Sequence, residues 1–177
     1  MQNKAIFLDR DGVINLERGE YTYKPDDFVL YPGVKEALSE LKQAGYLLII
    51  ITNQGGIAKG LYTITDMQAC HDKMQAAIGN LIDDIYFSTH HPDYSRSLGR
   101  KPGSLLFERA LAKWNLNPEN CRMIGDQERD LIPALKLGIP GIMIGERETP
   151  NIPPPFRFPD LKTAARFILH PPDSQAF

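Results

Sequence analysis

The sequence predicts an α/β fold, a Rossmann-like three-layer sandwich with a central parallel sheet. Three observations predict it. Short apolar runs alternate along the chain with segments whose apolar residues recur at helical spacing. One of those runs, Tyr46 to Ile51, is continuously apolar, as in strands buried on both faces of a parallel sheet. The connections between most of these segments are short.

Taken in order, Lys4 to Leu8 reads as the first strand. Val34 to Gln43 carries a helical stripe at Val34, Ala37, Leu38 and Leu41, which Gly45 ends. Tyr46 to Ile51 is the second strand. Thr65 is a suitable cap for a helix running to about Asn80, and Ile82 to Phe87 is the third strand. Ser104 to Trp114 is helical, with its stripe at Leu105, Leu106, Ala110 and Leu111. Arg122 to Ile124 makes a short fourth strand. A helix from about Arg129 to Leu137 follows, with Pro133 tolerable only near its first turn. Gly141 to Ile144 is the fifth strand. Asn151 to Pro159 is Pro-rich and reads as non-regular, Leu161 to Leu169 suits a last helix, and the final residues read as a loose tail. Neither a repeat nor a second domain interrupts this order, so residues 1–177 are expected to form one domain. Residues 15–31 and 88–100 form polar loops long for such a fold, and long loops in compact domains tend to carry function.

The bulk properties exclude several classes. A formal net charge of -2 gives no basic surface for nucleic acid or for an anionic membrane. No apolar run approaches the ~20 residues that span a bilayer. The first apolar run ends in Asp9, which does not fit an export signal. Cys70 and Cys121 lack any paired spacing and read as reduced packing residues of a cytoplasmic protein.

Polar clusters fall at the predicted strand ends. Asp9-Arg10-Asp11-Gly12 closes the first strand, where open α/β sheets bind ligands. Asp9 and Asp11 can address one small volume, and two acids this close need a cation or a shared proton. The same four residues also suit a solvated turn. Thr52-Asn53-Gln54-Gly55-Gly56 follows the second strand and offers a hydroxyl, two amides and bare backbone N–H groups as an anion cradle. Arg100-Lys101-Pro102 precedes a helix and supplies a planar fork and a compact charge. Asp126 ends the fourth strand, with Asp130 four residues on as a possible helix cap. Asp9, Asp11 and Asp126 together form an oxygen-rich set suited to Mg²⁺.

The order DxDG, TNQ, KP and GDxxxD resembles the haloacid dehalogenase superfamily of phosphotransferases. FLDRDGVIN, TNQGGIAKG, HHP and RKP further resemble its group of heptose-bisphosphate and histidinol phosphatases, from about Ala5 to Gly145. The resemblance implies a haloacid dehalogenase-like fold without a cap domain. It implies a Mg²⁺-dependent phosphomonoesterase acting on a phosphorylated sugar, the C7 phosphate of heptose 1,7-bisphosphate, or else on histidinol phosphate; a small capless domain of this kind is expected to be a monomer. A phosphosugar-binding module without catalysis is the reading from another class.

By the same resemblance Asp9 is the nucleophile that forms an aspartyl-phosphate, and Asp11 protonates the leaving oxygen and then deprotonates water. Mg²⁺ is held by the Asp9 carboxylate, the Asp11 carbonyl and Asp126. Thr52 and Lys101 stabilise the phosphoryl oxygens, and Asp130 orients Lys101 or a metal-bound water. Arg100 meets the second phosphate. Asn53, Gln54, Gly55 and Gln127 approach the sugar, and Glu17, Arg18, Gly19 and Glu20 line the mouth. Two departures stand out. Gly19-Glu20-Tyr21 replaces the group's usual Gly-Tyr-Val. Ser88-Thr89-His90 and Ser97-Leu98-Gly99 stand where many relatives carry Cys-x-His and Cys-x-Cys for structural Zn²⁺. One imidazole cannot make a four-ligand site, so no zinc is expected.

Overall fold

The computed structural model describes residues 2–153 and 155–172. Its sheet contains β1 (Ala5–Leu8), β2 (Leu47–Asn53), β3 (Asp84–Ser88), β4 (Arg122–Gly125), β5 (Gly141–Ile144) and β6 (Phe156–Phe158). They run in the order β3-β2-β1-β4-β5-β6, and every neighbouring pair is parallel. The helices are α1 (Val34–Gln43), α2 (Ile64–Ile78), α3 (Leu105–Lys113), α4 (Glu128–Lys136) and α5 (Leu161–Leu169).

The apolar runs explain the layering. Successive strand residues point to opposite faces, so each run feeds two cores at once. Ile6, Leu8, Leu48, Ile50, Ile124 and Ile142 pack on one face with α1, α2 and α5. Ala5, Phe7, Ile49, Ile51, Met123 and Met143 pack on the other with α3 and α4. All of these strand residues are fully buried. At ~25 cal/mol per Å² of apolar surface, such two-sided burial is the main force holding the sheet.

The predicted bounds of α1, β5 and α5 coincide with the observed ones. Three other readings are corrected. The 151–159 segment is not wholly irregular, because Phe156–Phe158 adds a sixth, edge strand beside β5. A three-residue strand flanked by prolines leaves almost no alternation to read, and an edge position tolerates the missing donors. Helix α2 begins earlier than Thr65: Thr63 caps it through a reciprocal box with Asp66. Pro133 lies in the second turn of α4, not the first. It forfeits the bond to the Arg129 carbonyl and is tolerated on the buried side of the helix. The tail expected at the end lies, from residue 173, outside the described residues. Among the described residues, no helix is long and apolar enough to cross a membrane.

The strand order reverses at β1, whose neighbours are β2 on one side and β4 on the other. The carboxyl ends of these three strands open a crevice, the usual ligand position in an open α/β sheet.

Candidate active site

Asp9 follows β1 directly, and its N–H continues the ladder to the Ile124 carbonyl at 3.0 Å. Asp126 follows β4, so the two acids lie just beyond the carboxyl ends of adjacent strands. Gly12 makes this approach possible. Its φ of +85° belongs to the left-handed region, and a Cβ there would lie 2.6 Å from the Asp126 carboxyl carbon.

A cavity of about 420 Å³ lies over these strand ends. Asp9, Asp11, Thr52, Lys101 and Asp130 all border it, as do Glu17, Gly19, Glu20, Asn53, Gln54 and Gln127. Tyr21, from the departing Gly19-Glu20-Tyr21 stretch, lies on its rim with Arg129 and Arg147, two residues not singled out from the sequence. Four expected residues, Arg18, Gly55, Arg100 and Asp126, do not border it. Arg18 pairs with Asp27 at 2.8 Å on the surface. Arg100 donates to the His90 carbonyl at 2.8 Å, packed over Gly55, whose own Cβ position lies 3.0 Å from that guanidinium. Asp126 borders a smaller adjoining cavity of about 210 Å³, which shares Glu17 and Arg147 with the first.

Lys101 is the electrostatic centre. Its ammonium is 2.9 Å from Asp9 Oδ1, 2.8 Å from Asp130 Oδ1 and 2.6 Å from the Ile51 carbonyl. All three of its donors are therefore used. Burial alone would lower its pKa, but Asp130 and Asp9 outweigh this and raise it. For Asp9 the largest effect is burial, which raises its pKa against the pull of Lys101. Asn53 explains how lysine reaches β2 from a distant loop. Its amide donates to the Lys101 carbonyl and accepts from the Lys101 N–H, both at 3.0 Å. The loop carrying Lys101 is thereby pinned to the strand carrying Thr52.

Asp130 has two partners. Besides Lys101, it accepts from the Gln127 N–H at 3.0 Å within the capping box of α4. It is the third residue of that helix rather than its cap, a role held by Gln127.

Asp11 is held by donors on three sides. Oδ1 accepts from Arg10 at 2.8 Å and Asn15 at 3.0 Å, and Oδ2 accepts from Gln54 at 3.2 Å. Arg10 is 1% exposed and also donates to the Thr22 carbonyl at 2.9 Å. Its other nitrogen lies 3.4 Å from His71 Nε2 on α2. Burial, then Arg10, lowers the His71 pKa to about 4, so the imidazole is neutral and accepts from the guanidinium. The unfolded chain, with a His pKa of 6.5, binds the proton more readily. Stability is thus expected to fall as pH drops from about 6.5 towards 4, by roughly 3 kcal/mol in the limit. Unfolding curves of wild type and His71→Gln across that range check this: the slope should flatten in the variant.

The carboxylates of Asp9, Asp126 and Asp130 offer oxygens within 4.8 Å of one another. Asp126 Oδ1 is buried without a hydrogen-bond partner, and its other oxygen is 3.4 Å from Arg147. Burial, then Asp130, pushes the Asp126 pKa up to about 6. An orphaned oxygen among mutually repelling acids fits a hard divalent cation. The Asp11 carboxylate is outside this set because its oxygens are turned to Arg10, Asn15 and Gln54.

Comparisons with known proteins agree with this geometry. A model of haloacid dehalogenase-like hydrolases matches residues 8–138. D-glycero-beta-D-manno-heptose-1,7-bisphosphate 7-phosphatase of Haemophilus ducreyi is 36% identical over 148 residues, 78% of this chain and 81% of that protein. The enzyme of the same name from Helicobacter pylori is 39% identical over 137 residues, 75% and 78% of the two chains. The crystal structure of D,D-heptose 1,7-bisphosphate phosphatase from B. bronchiseptica, complexed with magnesium and phosphate, superposes with a TM-score of 0.86. It is 28% identical and covers 94% of this chain and 98% of its own.

Proposed function

Because the chain belongs to the haloacid dehalogenase-like hydrolase family, we propose that it is a Mg²⁺-dependent phosphatase removing the C7 phosphate of D-glycero-D-manno-heptose 1,7-bisphosphate. The observation that carries the chemistry is the buried Lys101 ammonium gripping Asp9 Oδ1 beside Asp11 and Thr52. The substrate rests on the named relatives from H. ducreyi and H. pylori.

In this reading Lys101 holds one oxygen of Asp9 and leaves the other to attack phosphorus. The phosphorus–oxygen bond to C7 breaks as Asp11 gives its proton to the departing sugar oxygen. A water then loses a proton to Asp11 and attacks the aspartyl-phosphate, which releases inorganic phosphate and restores Asp9. Thr52 and Lys101 are fixed before substrate arrives, so the transferring oxygens meet positive potential without reorganisation of the site. Asp9, Asp126 and the Asp11 carbonyl would hold Mg²⁺, which when bound lowers the repulsion between carboxylate and phosphate. Arg100 is assigned to the distal phosphate, reached by swinging from the His90 carbonyl.

Histidinol phosphate is the second reading, favoured by Glu17, Glu20 and Tyr21 on the cavity wall, which suit an amine and an imidazole. Phosphate release from both compounds with Mg²⁺ separates the two. We expect kcat/KM for the heptose bisphosphate to exceed that for histidinol phosphate by at least ~100-fold. The reverse order would overturn the substrate assignment. The 88–100 loop is proposed to stand without zinc, held by contacts such as His90 to Ser95 at 2.8 Å. Metal analysis of the same preparation should find no stoichiometric zinc.

A further inference from the structure

The Tyr62 phenol is 6% exposed, lies behind the cavity and has no place in the mechanism above. Its ring stacks on Tyr23 with centroids 5.0 Å apart and planes 3° from parallel. The ring also lies flat against Gly56, where a Cβ would come within 2.2 Å of it. Packing therefore fixes the hydroxyl, which donates to Gln54 Oε1 at 2.8 Å. Burial raises the phenol pKa, so the group keeps its proton.

Gln54 passes this constraint on. Its Nε2 donates to Thr52 Oγ1 at 2.9 Å and to Asp11 Oδ2 at 3.2 Å. With Oε1 held by the Tyr62 hydroxyl, the amide presents its two N–H hydrogens to Thr52 and Asp11. Two consequences follow. Thr52, accepting from Gln54, keeps its own hydrogen for the cavity. Asp11 Oδ1 is already met by Arg10 and Asn15, which leaves Oδ2 as the oxygen that exchanges a proton with the leaving group.

We infer that Tyr62 is a positioning residue: by holding the Gln54 amide it fixes the Asp11 oxygen that serves the sugar leaving group. The inference rests on the phosphatase reading and goes beyond it. Removing the phenol oxygen leaves Oε1 buried without a donor, and the amide then turns away from Asp11 and Thr52.

The test exploits the leaving group. A sugar alkoxide needs a proton to depart, whereas p-nitrophenolate does not. Steady-state rates of wild type, Tyr62→Phe, Gln54→Met and the double variant would be compared on the heptose bisphosphate and on p-nitrophenyl phosphate. Tyr62→Phe should lower kcat/KM, which reports only the steps up to leaving-group departure, about tenfold on the sugar ester. Its kcat/KM on the aryl ester should change less than about twofold, since acid assistance is dispensable there. Gln54→Met should lose more on the sugar ester than on the aryl ester. Adding Tyr62→Phe to it should change nothing further, because the phenol acts only through the amide. Equal losses on both esters, no loss on either, or additive effects in the double variant would each overturn the inference. Wild-type protein that hydrolyses neither ester would instead overturn the phosphatase reading, and this inference with it.

Discussion

Asp9→Asn is expected to abolish turnover, with kcat on any phosphate ester falling by at least ~10⁴-fold, the scale of losses on removing a covalent nucleophile. An amide cannot form the acyl-phosphate, and Asp126, the neighbouring acid with an unpartnered oxygen, is assigned to Mg²⁺. Asp130 is committed to Lys101 and the α4 N-terminus, and Asp11 to Arg10, Asn15 and Gln54. The fold should survive. Asparagine has the same shape, Lys101 keeps Asp130 and the Ile51 carbonyl, and one of several crowded negative charges is gone. The unfolding midpoint should therefore equal or exceed that of wild type. Phosphate release and thermal unfolding on the same preparation check both halves. Residual Mg²⁺-dependent turnover within a hundredfold of wild type would rule out Asp9 as nucleophile, and a collapsed midpoint would leave the loss attributable to unfolding.

Lys101→Met should damage both properties. Methionine matches the lysine stem in length and supplies no donor, so Asp9 loses the cation at 2.9 Å and the Ile51 carbonyl loses its partner. Leaving one side of a buried ion pair uncompensated costs about 3–5 kcal/mol. For a domain of this size each kcal/mol lowers the midpoint by about 2–4 °C, so a fall of roughly 6–20 °C is expected near pH 7. The sign of the pH dependence follows from Asp9. Burial raises its folded pKa above the unfolded value, and without Lys101 that rise is greater. The folded state then binds more protons than the unfolded one, and stability returns as pH falls. The gap between variant and wild type should narrow from pH 8 to pH 5. Turnover should drop by about 10²–10³-fold, the usual loss when one fixed stabiliser of transition-state charge is removed. Thermal melts across pH and phosphate-release assays check these expectations. A constant gap across pH would mean that Asp9 is not what the lysine neutralises.

The sheet was legible because its strands are buried on both faces and so are uniformly apolar. Only β6, three residues long at an edge, left too little pattern. The acids at the ends of β1 and β4 were legible for a related reason. A charged residue directly after a fully buried strand has nowhere to be except the crevice. The supporting groups were not legible. Arg10 to His71 and Asn53 to Lys101 join residues 61 and 48 positions apart, and no periodicity marks such pairs. Arg10 was visible inside DRDG as a spacer, yet nothing local says that it turns inward and is buried. Arg18 and Arg100 show the converse. Their chemistry suits phosphate, but Asp27 holds Arg18 at the surface, and Arg100 rests on the His90 carbonyl, which it must leave to meet a phosphate.

The paired bonds between Asn53 and the Lys101 backbone divide the molecule by tolerance to change. Lysine is built into the framework of the sheet, although its position in the chain assigns it to a surface loop. Residues 89–100 can then lengthen, shorten or exchange their side chains while the charge beneath stays in register. Such a segment is a replaceable part on a fixed chassis, as loops on rigid scaffolds generally are. New specificities would be expected to arise there first, with the phosphoryl chemistry carried along unaltered.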